Sequence, residues 1–257
     1  MTGTATPAPA TRSRSPFMAM VAYALRSCFP AKRRLGLLLP CAVAILFGLL
    51  AHRVDAVSPA AAFARIGALP LCGLVLPIAC LVIGDAVLGA EVRSGTLTFT
   101  WLSPVPFWQI VTARWVTGTV VAWASVVPAF VLAALVAGVP EDAGAIALGA
   151  AVASAAYVAM FVLIGAVTRR SAVWSLAIVF LGERLLGNAL SGIAQLSPGW
   201  LARTTFLGLV DDVPHNIQRA GVPDGAAAIA HLVALTFIWV GIAAWRLAST
   251  DLSGSPD

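Results

Sequence analysis

The chain has 257 residues, of which 60% are hydrophobic and 11% are charged, and its net charge is +5. Soluble domains carry charges on roughly a quarter of their residues, so this chain has too few to coat a water-facing surface of its size. This composition excludes a soluble globular enzyme, a disordered protein and a fibrous repeat. The basic excess forms no stripe with interleaved aromatic residues, which argues against nucleic-acid binding. We therefore predict an all-α polytopic membrane protein.

The first part of the chain divides into a tail and a helix. Residues 1–14 are mainly Thr, Ala, Pro, Ser and Arg, a composition that predicts a disordered tail. Residues 15–29 open with Ser15 and Pro16, a helix start signal, and then repeat apolar residues at helical spacing. We expect an amphipathic helix that lies in the inner membrane interface and ends before Pro30. An early extension of the first membrane span is the alternative.

Six apolar segments follow this helix. A transmembrane helix needs about 20 apolar residues to cross the hydrocarbon core. The segments that meet or approach this length lie at about 35–51, 66–90, 110–137, 143–167, 171–193 and 226–245. The sequence therefore predicts six transmembrane helices, with a cleaved signal peptide as an alternative for the first of them.

The basic residues predict how these spans are oriented. With the N-terminus inside, eleven of the 16 Lys and Arg residues fall on the inner side and five fall on the outer side or in the outer half. Positive residues accumulate on the cytoplasmic side of membrane proteins. We expect both termini, including the tail at 248–257, in the cytoplasm of a cell-membrane protein. The long connection at 194–225 then lies outside, either as short helices that dip into the membrane or as an exposed loop.

No pattern of residues indicates catalysis or cofactor binding. The chain has no GxxxxGK[ST], HExxH or GxSxG sequence. Its four cysteines form no CxxC pair or Cys/His cluster that would predict zinc or a disulfide framework. We expect no catalytic residue, metal or cofactor in this chain. An intramembrane enzyme that pairs a serine with His231 stays a remote alternative.

The connection at 91–109 is the most informative part of the sequence. The second span is expected to end near Ala90, so that the charged residues after it meet water. Ser94 and Gly95 break the helix, and Thr96 can cap a new one. The new helix would have an apolar side and a proline-bounded end, formed by Leu97, Trp101, Leu102, Pro104 and Pro106. Such a short cytoplasmic helix suits the docking of a soluble partner. The alternative is an interfacial loop that only joins two spans.

These residues resemble the signature after the second span of ABC-2-type transporter permeases. The resemblance rests on Glu91, Gly95-Thr96-Leu97, Leu102, Ser103-Pro104 and Ala113-Arg114. The sequence departs from the family pattern at Thr98, where Glu is common, at Arg93, where a second acidic residue is common, and at Arg114, which replaces Lys. The overall pattern of an N-terminal interfacial helix and six spans extends the resemblance over residues 15–247.

The resemblance implies a function and a set of partners. Such permeases form homodimers or heterodimers, and each half docks on a separate subunit that binds ATP and Mg. The docking helix after the second span couples ATP hydrolysis to export of a substrate. On this chain the coupling residues would be Glu91, Arg93, Gly95, Thr96, Leu97, Leu102 and Pro104. The alternatives are an ATP-independent carrier or a membrane scaffold without transport.

Three ionisable residues inside the predicted spans are candidates for the translocation path, namely Asp85, Glu183 and Arg184. Glu183 lies 12 residues after Ser171, about 18 Å along a helix and past the membrane midplane. An ionised group at that depth needs a partner or water. The sequence leaves open a contact with substrate, an ion pair between subunits and snorkelling to the outer interface. Asp85 is expected nearer the cytoplasm, in contact with Arg114.

Overall fold

The computed structural model describes residues 16–28, 31–54, 58–94, 105–168, 170–210 and 221–249. Of these residues, 91% are helical and none lies in a strand. We number the helices α1 (Pro16–Cys28), α2 (Ala31–Val54), α3 (Pro59–Arg93), α4 (Phe107–Ala137), α5 (Ala143–Val167), α6 (Ser171–Ala177, continuing through Ile178–Leu186 and Gly187–Ala189), α7 (Ser191–Gln195), α8 (Pro198–Leu207) and α9 (Gly225–Ala248). The predicted all-α class is confirmed for this part of the chain.

Within the ranges that the structure describes, four helices are long and apolar enough to cross a membrane, as expected of a membrane protein. They are α3, α4, α9 and the helix Pro140–Val167, which joins a short 3-10 turn to α5. The first and fifth predicted spans correspond to shorter apolar helices, Leu39–Val54 and Ser171–Glu183. The count of six spans and their orientation therefore stay predictions.

The boundaries of the second and third spans differ from the sequence prediction. Helix α3 continues to Arg93 rather than ending near Ala90, and α4 begins at Phe107 rather than at 110. Residues Ala90–Ser94 include good helix formers, and the carboxylate of Glu91 finds a partner inside the protein. Pro106 is extended, with φ −67° and ψ 143°, and so fixes the start of α4.

Helices α4 and α5 form the centre of the bundle. The chain reverses between them at Gly138, whose φ of 84° is a left-handed conformation that favours glycine. Helix α2 packs mainly against α4, and α9 packs mainly against α5. The contact of α2 with α4 is close: a Cβ at Gly48 would lie 2.5 Å from the carbonyl oxygen of Ala133. Small residues of this kind allow helix backbones to approach one another in membrane proteins.

Helix α3 alternates between α-helical and wider π-helical turns. Its π-helical parts are Phe63–Ala68, Leu71–Val75 and Asp85–Gly89. Helix α6 has a longer one, Ile178–Leu186. Two of these segments contain the ionisable residues Asp85 and Glu183. Since π-helical turns occur frequently at functional sites, Asp85 and Glu183 are candidate site residues.

The predicted N-terminal helix is present as α1, which packs against α4. Ala24 is fully buried, whereas Met18 and Tyr23 are more than half exposed. The expected tail at 1–14, the break at Pro30, the coupling helix between 95 and 104, and residues 250–257 lie outside the described residues.

The connection at 194–225 contains short helices, as one of the two sequence readings expected. Helix α8 packs against α5 and α9, and most of its residues are buried. The rings of Phe206 and Phe63 meet edge to face with centroids 5.8 Å apart. The alternative of an exposed loop is therefore wrong for Pro198–Leu207, because this segment buries its apolar side chains in the bundle. Residues 211–220 lie outside the described residues.

Candidate functional site

Polar side chains meet at two places in this apolar bundle. The first, the ion-pair cluster, comprises Asp85, Glu91, Arg93, Arg114 and Ser171. It lies at the end of the bundle where α3 ends and α4 and α6 begin. The second, the Glu183 cluster, comprises Tyr157, Glu183, Ser197 and Trp200.

Asp85 and Arg93 form a bidentate ion pair within α3. Arg93 Nη1 lies 2.5 Å from Asp85 Oδ1, and Nη2 lies 2.8 Å from Oδ2. Residues eight apart are separated by about 12 Å along a helix. The long arginine side chain covers this distance because helical side chains lean toward the N-terminus. Two parallel charge-assisted hydrogen bonds also fix the orientation of both groups.

Ser171 attaches this ion pair to the start of α6. Its hydroxyl donates to Asp85 Oδ1 at 2.9 Å and accepts from Arg93 Nη1 at 3.3 Å. The two helices approach closely at Gly89, where an added Cβ would overlap both Asp85 Oδ1 and the Ser171 hydroxyl unless these side chains moved. The end of α3 is therefore held against α6 by polar contacts as well as by packing.

Glu91 and Arg114 form a second ion pair, which joins α3 to α4. Arg114 Nη2 donates to Glu91 Oε2 at 2.8 Å. The arginine is 2% exposed and the glutamate 9%. The guanidinium also lies 5.5 Å from the ring centre of Tyr23 on α1, in cation–π geometry. The expectation that Glu91 meets water is wrong, because its side chain is buried and Arg114 donates to one oxygen of its carboxylate within the bundle.

The segment 95–104, which connects α3 to α4, is preceded by the Asp85–Arg93 pair and is spanned by the Glu91–Arg114 pair. One pair ties the end of α3 to α6, and the other ties it to the start of α4 and to α1. Of the predicted coupling residues, the structure places Glu91 and Arg93 here. Gly95, Thr96, Leu97, Leu102 and Pro104 lie outside the described residues. The partner shown for Asp85 is Arg93, where the sequence analysis expected Arg114.

Glu183 is buried in the Glu183 cluster, where it is 8% exposed. Its Oε2 accepts hydrogen bonds from the Tyr157 hydroxyl at 2.5 Å and from the Ser197 hydroxyl at 2.8 Å. Its backbone carbonyl accepts from Trp200 Nε1 at 3.3 Å. The carboxylate thus links α6 to α5 and to the start of α8, and these contacts lie within one chain.

A small cavity of about 20 Å³ adjoins this carboxylate. Its walls include Glu183, Ser197, Trp200 and Arg203. Arg203 stacks on the ring of Trp200, with its guanidinium carbon 5.6 Å from the ring centre. The cavity has room for about one water molecule. The side chain of Arg184, the third predicted path residue, lies outside the described part of the structure.

The sequence analysis missed the uncharged members of both clusters. Ser171 and Tyr157 sit in apolar stretches with no local signal for their partners. Ser197 did carry one, since a serine before Pro198 is a helix start signal. The structure bears this out, because the Ser197 hydroxyl accepts from the backbone N–H of Trp200 at 3.2 Å.

Within the described ranges, no group of three or more His, Cys, Asp or Glu side chains is arranged to hold a metal ion. No protein-family model matches this chain, and no curated protein matches it either.

Proposed function

We propose that this chain is the permease subunit of an ABC-2-type exporter, which moves a substrate across the cell membrane while a separate subunit hydrolyses ATP. The single observation that carries this proposal is the anchoring of both ends of the segment 95–104. Glu91 and Arg93 lie just before the segment, and Arg114 lies after it, in α4. Their ion pairs connect that segment to four helices, α1, α3, α4 and α6.

This anchoring suits a part that transmits force. A push by the ATP-binding subunit on residues 95–104 would pass into α3 and α4 through the peptide chain. It would pass into α6 through Ser171 and into α1 through Arg114 and Tyr23. Packed helices joined by directional polar contacts move as units rather than deforming locally. In this proposal the four helices respond together when the ATP-binding subunits close.

The two charged residues before the segment then have different roles. Glu91 is buried against Arg114 and positions the segment from within the chain. The side chain of Arg93 is 40% exposed while it pairs with Asp85, so it can also meet an acidic group on the partner. The chain works as a homodimer or a heterodimer, both termini are cytoplasmic, and ATP and Mg bind to the partner subunit.

One observation favours a second candidate, an ATP-independent carrier. Glu183 is a buried carboxylate in a π-helical turn, next to a cavity that admits about one water molecule. Ionisable groups within apolar bundles are often proton or ion relays. In such a carrier Asp85, Glu183 and Arg184 would couple ion movement to transport.

Affinity purification from native membranes separates these two functions. A tagged chain should co-purify with a protein that contains a P-loop and hydrolyses ATP. Replacing Leu97 by Asp, in the proposed docking helix, should abolish this association. Replacing the exposed Leu209 by Asp at the other end of the bundle is the matched control and should leave it intact. Proton-driven uptake by the purified chain alone, with no such subunit, would reject the exporter in favour of the carrier.

A further inference from the structure

An apolar cleft of about 450 Å³ opens between α5, α6 and α9. Ile164 and Val167 line it from the end of α5, Trp174 and Ile178 from α6, and Ile242 from α9. Thr168 completes the wall at the turn between α5 and α6. The volume lies in the range of sites that hold small organic ligands, and the apolar walls suit a hydrocarbon chain.

Two arginines stand at the same end of this cleft. Arg170 is one helical turn before Trp174, and the backbone N–H of Trp174 donates to the Arg170 carbonyl at 3.2 Å. Arg246 is one turn after Ile242 on α9. Arg246 is four residues after Ile242 and so shares its helix face, and Arg170 is the N-cap residue of α6. Each arginine therefore stands one turn from a residue that lines the cleft. Both arginines are exposed.

Exposed tryptophans mark the level of this end. Trp174 is 56% exposed and Trp245 is 68% exposed. Tryptophan is enriched where hydrocarbon meets the lipid headgroups, because its ring is apolar and its N–H is polar. The arginines therefore lie at headgroup level, and the cleft extends from them into the apolar layer.

We propose that this cleft binds an anionic phospholipid of the surrounding bilayer. One acyl chain occupies the cleft, and the phosphate and its anionic headgroup lie between Arg170 and Arg246. The charge complementarity selects an anionic lipid over a zwitterionic one. Because α6 also carries Ser171, which holds the Asp85–Arg93 ion pair, the lipid would brace the start of this helix. The proposal does not depend on the exporter function.

Native mass spectrometry of the full chain in mild detergent tests the site, with phosphatidylglycerol and phosphatidylcholine as probes. Phosphatidylglycerol should bind at a lower lipid concentration than phosphatidylcholine. The double variant Arg170→Gln/Arg246→Gln should weaken its binding about thirtyfold, roughly fivefold for each charge near an anionic headgroup. The control Arg53→Gln/Arg65→Gln removes two exposed charges elsewhere and should have little effect.

A second pair of variants tests the acyl chain without changing charge. Ile242→Trp should fill the cleft and displace both lipids, whereas Val233→Trp, at an exposed residue on the opposite face of the same helix, should not. Equal binding of the two lipids, or phosphatidylglycerol binding that survives both Arg170→Gln/Arg246→Gln and Ile242→Trp, would overturn the proposal. If neither the unchanged chain nor the Ile242→Trp variant binds lipid, and the variant loses a dimer that the unchanged chain forms, the cleft is instead occupied by a second copy of the chain.

Discussion

Arg114 donates to Glu91 at 2.8 Å across the connection between α3 and α4, and both side chains are buried. The residues are 23 positions apart in sequence and enclose the whole predicted coupling segment. A buried pair of this kind constrains the geometry of the connection more than it adds to stability, because the desolvation of both charges offsets much of their attraction.

Removing one member of this pair should be costly. Arg114→Gln leaves the Glu91 carboxylate buried without its cation, a change that typically costs about 3–5 kcal/mol. We expect the thermal transition in detergent to fall by roughly 6–20 °C, as measured by fluorescence-detected size-exclusion chromatography. Arg65→Gln, which removes an exposed arginine, should leave it within about a degree or two. Equal transitions for the two variants would show that the pair does not stabilise the fold.

Exchanging the two charges distinguishes positioning from partner contact at Glu91. In Glu91→Arg/Arg114→Glu the ion pair can re-form with reversed polarity, so association with the proposed ATP-binding subunit should recover relative to Glu91→Arg alone. If Glu91 touches the partner subunit directly, the double variant should remain as defective as the single one. Co-purified ATPase activity measures the result.

Gly89→Ala should separate α3 from α6. The added methyl group would overlap Asp85 Oδ1 and the Ser171 hydroxyl, so either the ion pair or the helix contact must shift. We expect a loss of about 1–3 kcal/mol and faster hydrogen exchange at the start of α6. Gly144→Ala is the control because a Cβ there meets nothing within 4 Å. Unchanged exchange in Gly89→Ala would mean that this contact is looser than described.

Gly48→Ala should loosen α2 from α4. Its Cβ would lie 2.5 Å from a backbone oxygen of Ala133, which cannot move aside as a flexible side chain can. We expect a loss of about 1–3 kcal/mol, seen as a lower thermal transition and easier proteolysis. In Gly241→Ala the new Cβ again meets nothing within 4 Å, and the transition should hold or rise slightly. A harmless Gly48→Ala would contradict the close packing of these helices.

Tyr157→Phe should weaken the attachment of α8. It removes one of the two hydroxyl groups that donate to the buried Glu183 carboxylate, at a cost of about 1–3 kcal/mol. Thr236→Val also removes a buried hydroxyl, but one that bonds to Leu232 of its own helix at 2.7 Å, so its effect should be smaller. The thermal transition temperatures of Tyr157→Phe and Thr236→Val, each compared with that of the unchanged chain, measure the two effects.

Glu183→Gln tests what the carboxylate does in transport. The amide keeps an acceptor oxygen for Tyr157 and Ser197 but removes the charge. If Glu183 contacts substrate or relays protons, export or uptake in reconstituted vesicles should fall severalfold while the fold remains intact. If the residue only anchors α8, transport should follow stability, both in this variant and in Tyr157→Phe.

The sequence alone predicted the helical, membrane-type character of this chain. That prediction rests on composition and on the length of apolar runs, which can be read along the chain without knowing how the helices pack. It also placed α1, and it left the 194–225 connection open between short helices and an exposed loop. It set the end of the second span too early, since the helix continues where Glu91 finds Arg114 more than twenty residues further along the chain.

Only the tertiary structure decided which polar groups meet. Asp85 contacts Ser171 from 86 positions away, and Tyr157 contacts Glu183 from 26. In a helix that is apolar on all sides, periodicity does not reveal which face meets which neighbour. Packing of small residues sets those faces, and the few polar side chains then pair with whatever lies opposite, because an unsatisfied polar group in an apolar interior is costly.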